Sequence, residues 1–203
     1  MSDAVVPASG PVLSLFQPSA PYVNALLEER SVSPFTYDDV GGTGGELPSG
    51  WAHDEKVISL GRGEAVWKVA CAALRGWRQF DLNWVRPFRM DVPLESGACF
   101  AFLSRSLGVW SVNVCRVVYV IEEDDGAVSR FGFAYGTVGP HAVRGEERFM
   151  VEWDHDSDVV TFGIRKFSRP VGAFLAMAGP VVRWVQHRFT EDALLRMQQE
   201  VKG

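Results

Sequence analysis

The chain has 203 residues with a formal net charge of −5, is 47% hydrophobic and 12% aromatic, and carries seven Trp and thirteen Phe. That length suits one domain with an extension, and that much apolar surface supports a core without disulfides or metals. The acidic balance excludes a broad phosphate-binding surface, so nucleic acid is not an expected partner. No stretch approaches the ~20 apolar residues of a membrane span, the N-terminus lacks a basic leader region, and Cys71, Cys99 and Cys115 have neither zinc-site nor disulfide spacing. These features predict a cytoplasmic protein with reduced thiols.

Residues 1–56 are rich in Gly, Pro and Ser and read as a loop-rich N-terminal extension with one short helical piece around Tyr22–Arg30. The domain proper is expected over 57–203. It opens with a strand at Val57–Leu60 and a helix over Glu64–Gln79, whose stripe is Val66, Ala70, Ala73 and Trp77. The period then changes to two. Strands are predicted at Leu82–Phe88, Ala98–Ser104, Val114–Glu122, Ser129–Val138, Glu147–Asp154 and Val159–Phe167, with turn-forming "EDDGA" and "DHDSD" between some of them. Six successive strands without an intervening helix require an antiparallel sheet.

The C-terminal segment returns to helical spacing, with Phe174, Ala178, Val181, Val185 and Phe189 on one stripe followed by Leu194, Met197 and Val201. Pro180 should kink or restart this helix, giving a short turn and then a long helix. Trp184 and Phe189 are expected to attach it to the sheet. Strand, helix, a run of strands and a long helix make an α+β helix-grip fold: a strongly curved antiparallel sheet of about seven strands around a C-terminal helix, with a cavity between them.

"GRGEAV" after the first strand has two glycines of a dinucleotide turn, but Val66 replaces the third and no parallel unit follows. Gly61 and Gly63 are better read as a tight strand-to-helix turn. "DHDSD" lacks the glycine and the bidentate Glu of a calcium loop and reads as a turn. The four histidines show no ligand spacing, so neither metal nor cofactor is expected. Cys71 lies among apolar helix neighbours, where burial raises a thiol pKa and quiets it.

In "RFGFAYGTV", Gly132, Ala134 and Gly136 alternate with Phe131, Phe133 and Tyr135, so something is expected to pack closely on the bare face. In "EERFMVEW", Glu147 shares a face with Phe149, Val151 and Trp153, which puts a carboxylate on an apolar surface. Strand parity sets Arg116 and Tyr119 on opposite faces. The predicted ligand-binding residues are Tyr119, Tyr135, Glu147 and Phe149, with no catalytic residue assigned.

"FTYDDVGGTGGELPSGW", "LGRGEAVWKVACAALRGWRQF", "CRVVYV", "FGFAYGTVGPHAVRGEERFMVEWD", "FSRP" and "GPVVRWVQHRF" together resemble the DUF1990 family of bacteria and plants, from about Phe35 to Met197. That family is similar to the START-like (SRPBCC) helix-grip superfamily. The resemblance implies an internal cavity for a small apolar ligand or lipid, and no catalytic residues. Two alternatives stay open: an enzyme that uses the same cavity with Glu147 or His141 as acid or base, and a membrane-peripheral or interaction protein that uses Arg183, His187 and Arg188 on the last helix. Neither the ligand nor the oligomeric state is readable from the sequence.

Overall fold

The computed structural model describes residues 12–172 and 179–203. Eight antiparallel strands form one sheet: β1 (Val12–Ser14), β2 (Ala52–Arg62), β3 (Val85–Phe88), β4 (Cys99–Ser106), β5 (Val109–Asp124), β6 (Val128–Thr137), β7 (Val143–Asp154) and β8 (Val159–Pro170). The order is β2-β8-β7-β6-β5-β4-β3. Three α-helices accompany it: α1 (Ala20–Ser31), α2 (Gly63–Arg75) and α3 (Gly179–Glu200). This is the expected helix-grip, with α3 and α2 on the concave side. The strand expected over Val57–Leu60 begins at Ala52, so residue 56 lies inside β2.

The 16-residue β5 pairs with three strands. Its first half pairs with β4 and its second half with β6, while β1 pairs with Val112–Trp110. Where β6 ends, β1 takes up part of the vacated edge.

Two cores result from alternation along β4 and along β5 up to Val117. Phe100, Cys115 and Val117 face inward with Phe133, Phe149 and Phe162. Ala101, Leu103, Val112 and Val114 face outward, under Val23, Leu26 and Leu27 of α1. The segment before β2 therefore covers the outer face of the sheet.

α2 stops at Arg75 rather than Gln79. Gly76 caps it, Trp77 takes a left-handed φ of 57°, and a 3-10 turn at Arg78–Phe80 follows. The turn drops Phe80, 0% exposed, among Phe100, Phe102, Tyr135, Phe149 and Phe189, with ring centroids 5.2–6.0 Å apart. At the other end of α2, Gly61 and Gly63 have φ of 144° and 85°, and Gly63 N–H donates to Asp158 O at 3.0 Å. These glycines make the strand-to-helix turn. The "DHDSD" segment is likewise a hairpin turn, with Asp154 Oδ1 accepting from Ser157 N at 2.7 Å.

Pro180 falls in the first turn of α3, where its missing N–H leaves no bond unmade. The short helical turn expected before it, with Phe174 and Ala178, lies outside the described residues. Phe189, Leu194 and Met197 are buried as expected, but Trp184 is 49% exposed. The attachment of α3 thus rests on its second half and not on Trp184. Phe189→Ala should cost about 3–5 kcal/mol and Trp184→Ala no more than about 0.5 kcal/mol, read from urea denaturation midpoints.

Candidate functional site

A cavity of about 280 Å³ opens between the first turns of α3 and the end of the sheet that β6 leaves. Its lining includes the apolar Trp84, Phe102, Val143, Val182, Val185 and Phe189 and the polar Ser104, Ser111, Asn113, Glu147, Lys166 and Gln186. Lining residues follow the period-two rule, since Tyr135, Glu147, Lys166 and Ser168 are inward positions of β6, β7 and β8.

Glu147 is 8% exposed and Lys166 is 6% exposed. Tyr135 Oη donates to Glu147 Oε2. Lys166 Nζ lies 3.3 Å from Glu147 Oε1, as an ion-pair contact without hydrogen-bond alignment, so among the described residues Oε1 accepts no hydrogen bond. The same ammonium donates to Thr190 Oγ1 at 2.6 Å and to Gln186 O at 3.3 Å, and stands 3.8 Å from Asp54 Oδ2. Burial and the neighbouring Glu147 hold the Tyr135 phenol well above its ordinary pKa, so it stays a proton donor. The same two causes push the Cys115 thiol up.

The predicted site residues separate. Tyr135 and Glu147 meet in the cavity wall. Phe149 shares their face but is fully buried under Phe80, Tyr135 and Phe162 and packs in the core behind the cavity. Tyr119 is a correction: its hydroxyl bonds Thr43 Oγ1 at 2.7 Å on the outer face. A bulge between Val117 and Tyr119 inserts one residue into β5 and reverses its parity, so Arg116 and Tyr119 share the outer face instead of opposing faces. Arg116 there donates to Ser31 O at 2.5 Å and Ser33 O at 2.8 Å.

Lys166 is not among the predicted site residues, although Phe162, Ile164 and Lys166 alternate along β8 in the same pattern as Glu147, Phe149 and Val151 along β7. Glu146 gives no such signal, because its partners lie more than a hundred residues away in the chain. It is 2% exposed on the outer face. Its Oε2 accepts from Tyr37 Oη at 2.8 Å and Gly41 N at 2.7 Å, and its Oε1 from Thr43 N at 2.9 Å and Thr43 Oγ1 at 2.5 Å. Gly41, at φ 87°, turns the backbone so that its own N–H and that of Thr43 converge on the carboxylate, while the Gly42 N–H donates to Asp39 O at 3.0 Å. Tyr37 packs on the bare strand position at Gly136, where a Cβ would stand 2.0 Å from its hydroxyl.

His141 lines the outer part of the cavity and is 8% exposed. Burial, then the charge of Arg30, lowers its pKa to about 4. Its Nδ1 accepts from Val143 N–H at 3.4 Å, which assigns the proton of the neutral ring to Nε2. On α3, Arg188 stacks over Trp84 at 4.6 Å and His187 Nδ1 lies 3.3 Å from Asp54, so both side chains have partners within the fold. Burial raises the Cys71 thiol to about 12. Among the described residues no three His, Cys, Asp or Glu side chains are grouped to hold a metal ion, and no helix is long and apolar enough to cross a membrane.

The domain of unknown function DUF1990 matches residues 36–196, a span that includes Tyr37, Thr43, Glu146, Glu147 and Lys166. The chain belongs to the DUF1990 family. A UPF0548 protein of Dictyostelium discoideum is 30% identical over 203 residues, covering 91% of this chain and 94% of its own. A UPF0548 protein of Deinococcus radiodurans is 39% identical over 150 residues, covering 68% of this chain and 73% of its own. Among solved structures, human STARD10 aligns with a TM-score of 0.48 at 10% identity over 92% of this chain and 80% of its own. Ara h 8.0201 aligns with a TM-score of 0.49 at 8% identity over 75% and 98%.

Two outcomes follow from the buried groups of the DUF1990 domain. Glu146→Gln puts an amide against donors and should cost about 1–3 kcal/mol in urea denaturation, with faster proteolysis between residues 36 and 51. The folded-state pKa of His141 lies below its unfolded value of about 6.5. Its neutral burial therefore contributes stability that is complete above pH ~6.5 and lost as pH falls towards about 4, by a few kcal/mol. Urea midpoints of His141→Gln should vary less than the wild type's across that window.

Proposed function

We propose that this DUF1990 domain binds a small, largely apolar ligand or lipid in the cavity between the sheet and α3, with Glu147 and Tyr135 orienting its polar end. The observation that carries the reading is the composition of the cavity lining. Aliphatic and aromatic side chains predominate and a small set of polar groups stands among them, the composition of a small-molecule pocket, and the volume is near the lower end of the usual 300–1,000 Å³. The polar groups of the wall stand on strands and on α3, which are regular elements of the fold. Three unpaired cysteines, two of them buried, support a cytoplasmic location.

Native mass spectrometry of the protein purified without detergent should show a retained species of defined mass. Glu147→Gln, which keeps shape and removes charge, should change that species or its occupancy. Glu152→Gln should leave it unchanged, because Glu152 faces outward and pairs with Arg130 Nε at 2.9 Å. Equal effects from the two substitutions would remove Glu147 from the site.

A further inference from the structure

We propose that the cavity selects a neutral amphiphile whose polar end is a hydrogen-bond donor, a hydroxyl that donates to Glu147 Oε1, and that it rejects carboxylate-ended amphiphiles of the same length. The inference rests on the reading of the cavity as a ligand site and names the class of ligand.

Most polar groups of the lining are already matched to each other. Ser104 and Ser111 share a hydrogen bond at 2.8 Å, Asn113 Nδ2 donates to Ser111 Oγ at 3.1 Å, and Gln186 Nε2 donates to Ser168 Oγ at 2.9 Å. Glu147 differs. Its Oε2 is engaged by Tyr135, while Oε1 is a buried acceptor with no hydrogen bond among the described residues. A buried carboxylate oxygen calls for a donor, and a ligand entering the cavity can supply one.

The charge balance decides between a neutral and an anionic polar end. Lys166 faces two carboxylates, Glu147 at 3.3 Å and Asp54 at 3.8 Å, and two of its three protons are directed at Thr190 Oγ1 and the Gln186 carbonyl. His187, 3.3 Å from Asp54, stands on the far side of Asp54's ion-pair contact. An incoming carboxylate would thus bring a third negative charge to an ammonium already shared by two, and would present an acceptor to the acceptor Oε1. An ester would present an acceptor without a donor. A hydroxyl donates to Oε1 and leaves the existing contacts in place. The neighbouring inward positions of β7 are Gly145 and Val143, so an apolar tail has room to run towards Val181 and Val182 at the start of α3.

The test uses titration calorimetry of the full chain at neutral pH with 1-decanol, methyl decanoate and sodium decanoate. A donor to a buried carboxylate is worth roughly 10–100-fold in affinity, so decanol should bind at least about tenfold more tightly than either of the others. Glu147→Gln should erase the discrimination against decanoate, with folding checked by thermal unfolding. Tyr135→Phe, which frees Oε2 without altering the charge, should keep decanol preferred over decanoate and serves where the first variant does not fold. Decanoate or methyl decanoate binding the wild type as tightly as decanol would overturn the inference and leave the ligand-site reading standing. Failure of all three to bind would overturn both.

Discussion

Two consecutive carboxylates on β7 must be buried on opposite sides of one strand, and much of the fold around them answers that demand. An uncompensated buried charge costs several kcal/mol, so each needs its own set of partners. On the outer face Glu146 is met by a tyrosine hydroxyl, a threonine hydroxyl and two backbone amides, all from the segment before β2. On the inner face Glu147 is met by Tyr135 and Lys166, from the strands on either side. The first set is complete. The second leaves one oxygen open, and it is the second that borders the cavity.

The outer set explains the segment from Phe35 to Trp51. Its glycines allow a turn tight enough for Gly41 and Thr43 amides to converge on one carboxylate, and the turn is backed by aromatic packing of Tyr37, Trp51 and Phe167 with centroids 5.1–6.3 Å apart. Arg169 stacks on the exposed side of Trp51 at 4.0 Å. The family match begins at residue 36, at the start of this strap. Glu146, which takes no part in the cavity chemistry, therefore connects the strap to the strand that carries Glu147.

The inner set depends on where the sheet stops. β6 leaves at Thr137, β1 follows the edge of β5 beyond it, and the first half of α3 stands off where the second half packs tightly through Phe189, Ala193 and Met197. The difference lies in side-chain size. The aromatic cluster around Phe80 fills the concave face below Glu147, whereas Gly145, Thr137, Ser168 and the serines of β4 and β5 above it leave space.

Composition and periodicity alone determined the α+β class, the antiparallel order of the strands, the helix at each end of the meander and the one strand face shared by Glu147 and Phe149, but not which face turns inward. Those properties follow from local rules, the period of two in a strand and 3.6 in a helix, so they are legible wherever the alternation is unbroken. Parity failed at Tyr119, because one inserted residue in β5 reverses every face after it and leaves no mark in the pattern. Glu146 and its strap, the division of labour along α3 between Phe189 and Trp184, and the sharing of Lys166 between Glu147 and Asp54 were decided only by the tertiary structure. Each depends on groups brought together from distant parts of the chain, and the energy of a buried charge is set by the full surroundings it is given, which no local window of sequence contains.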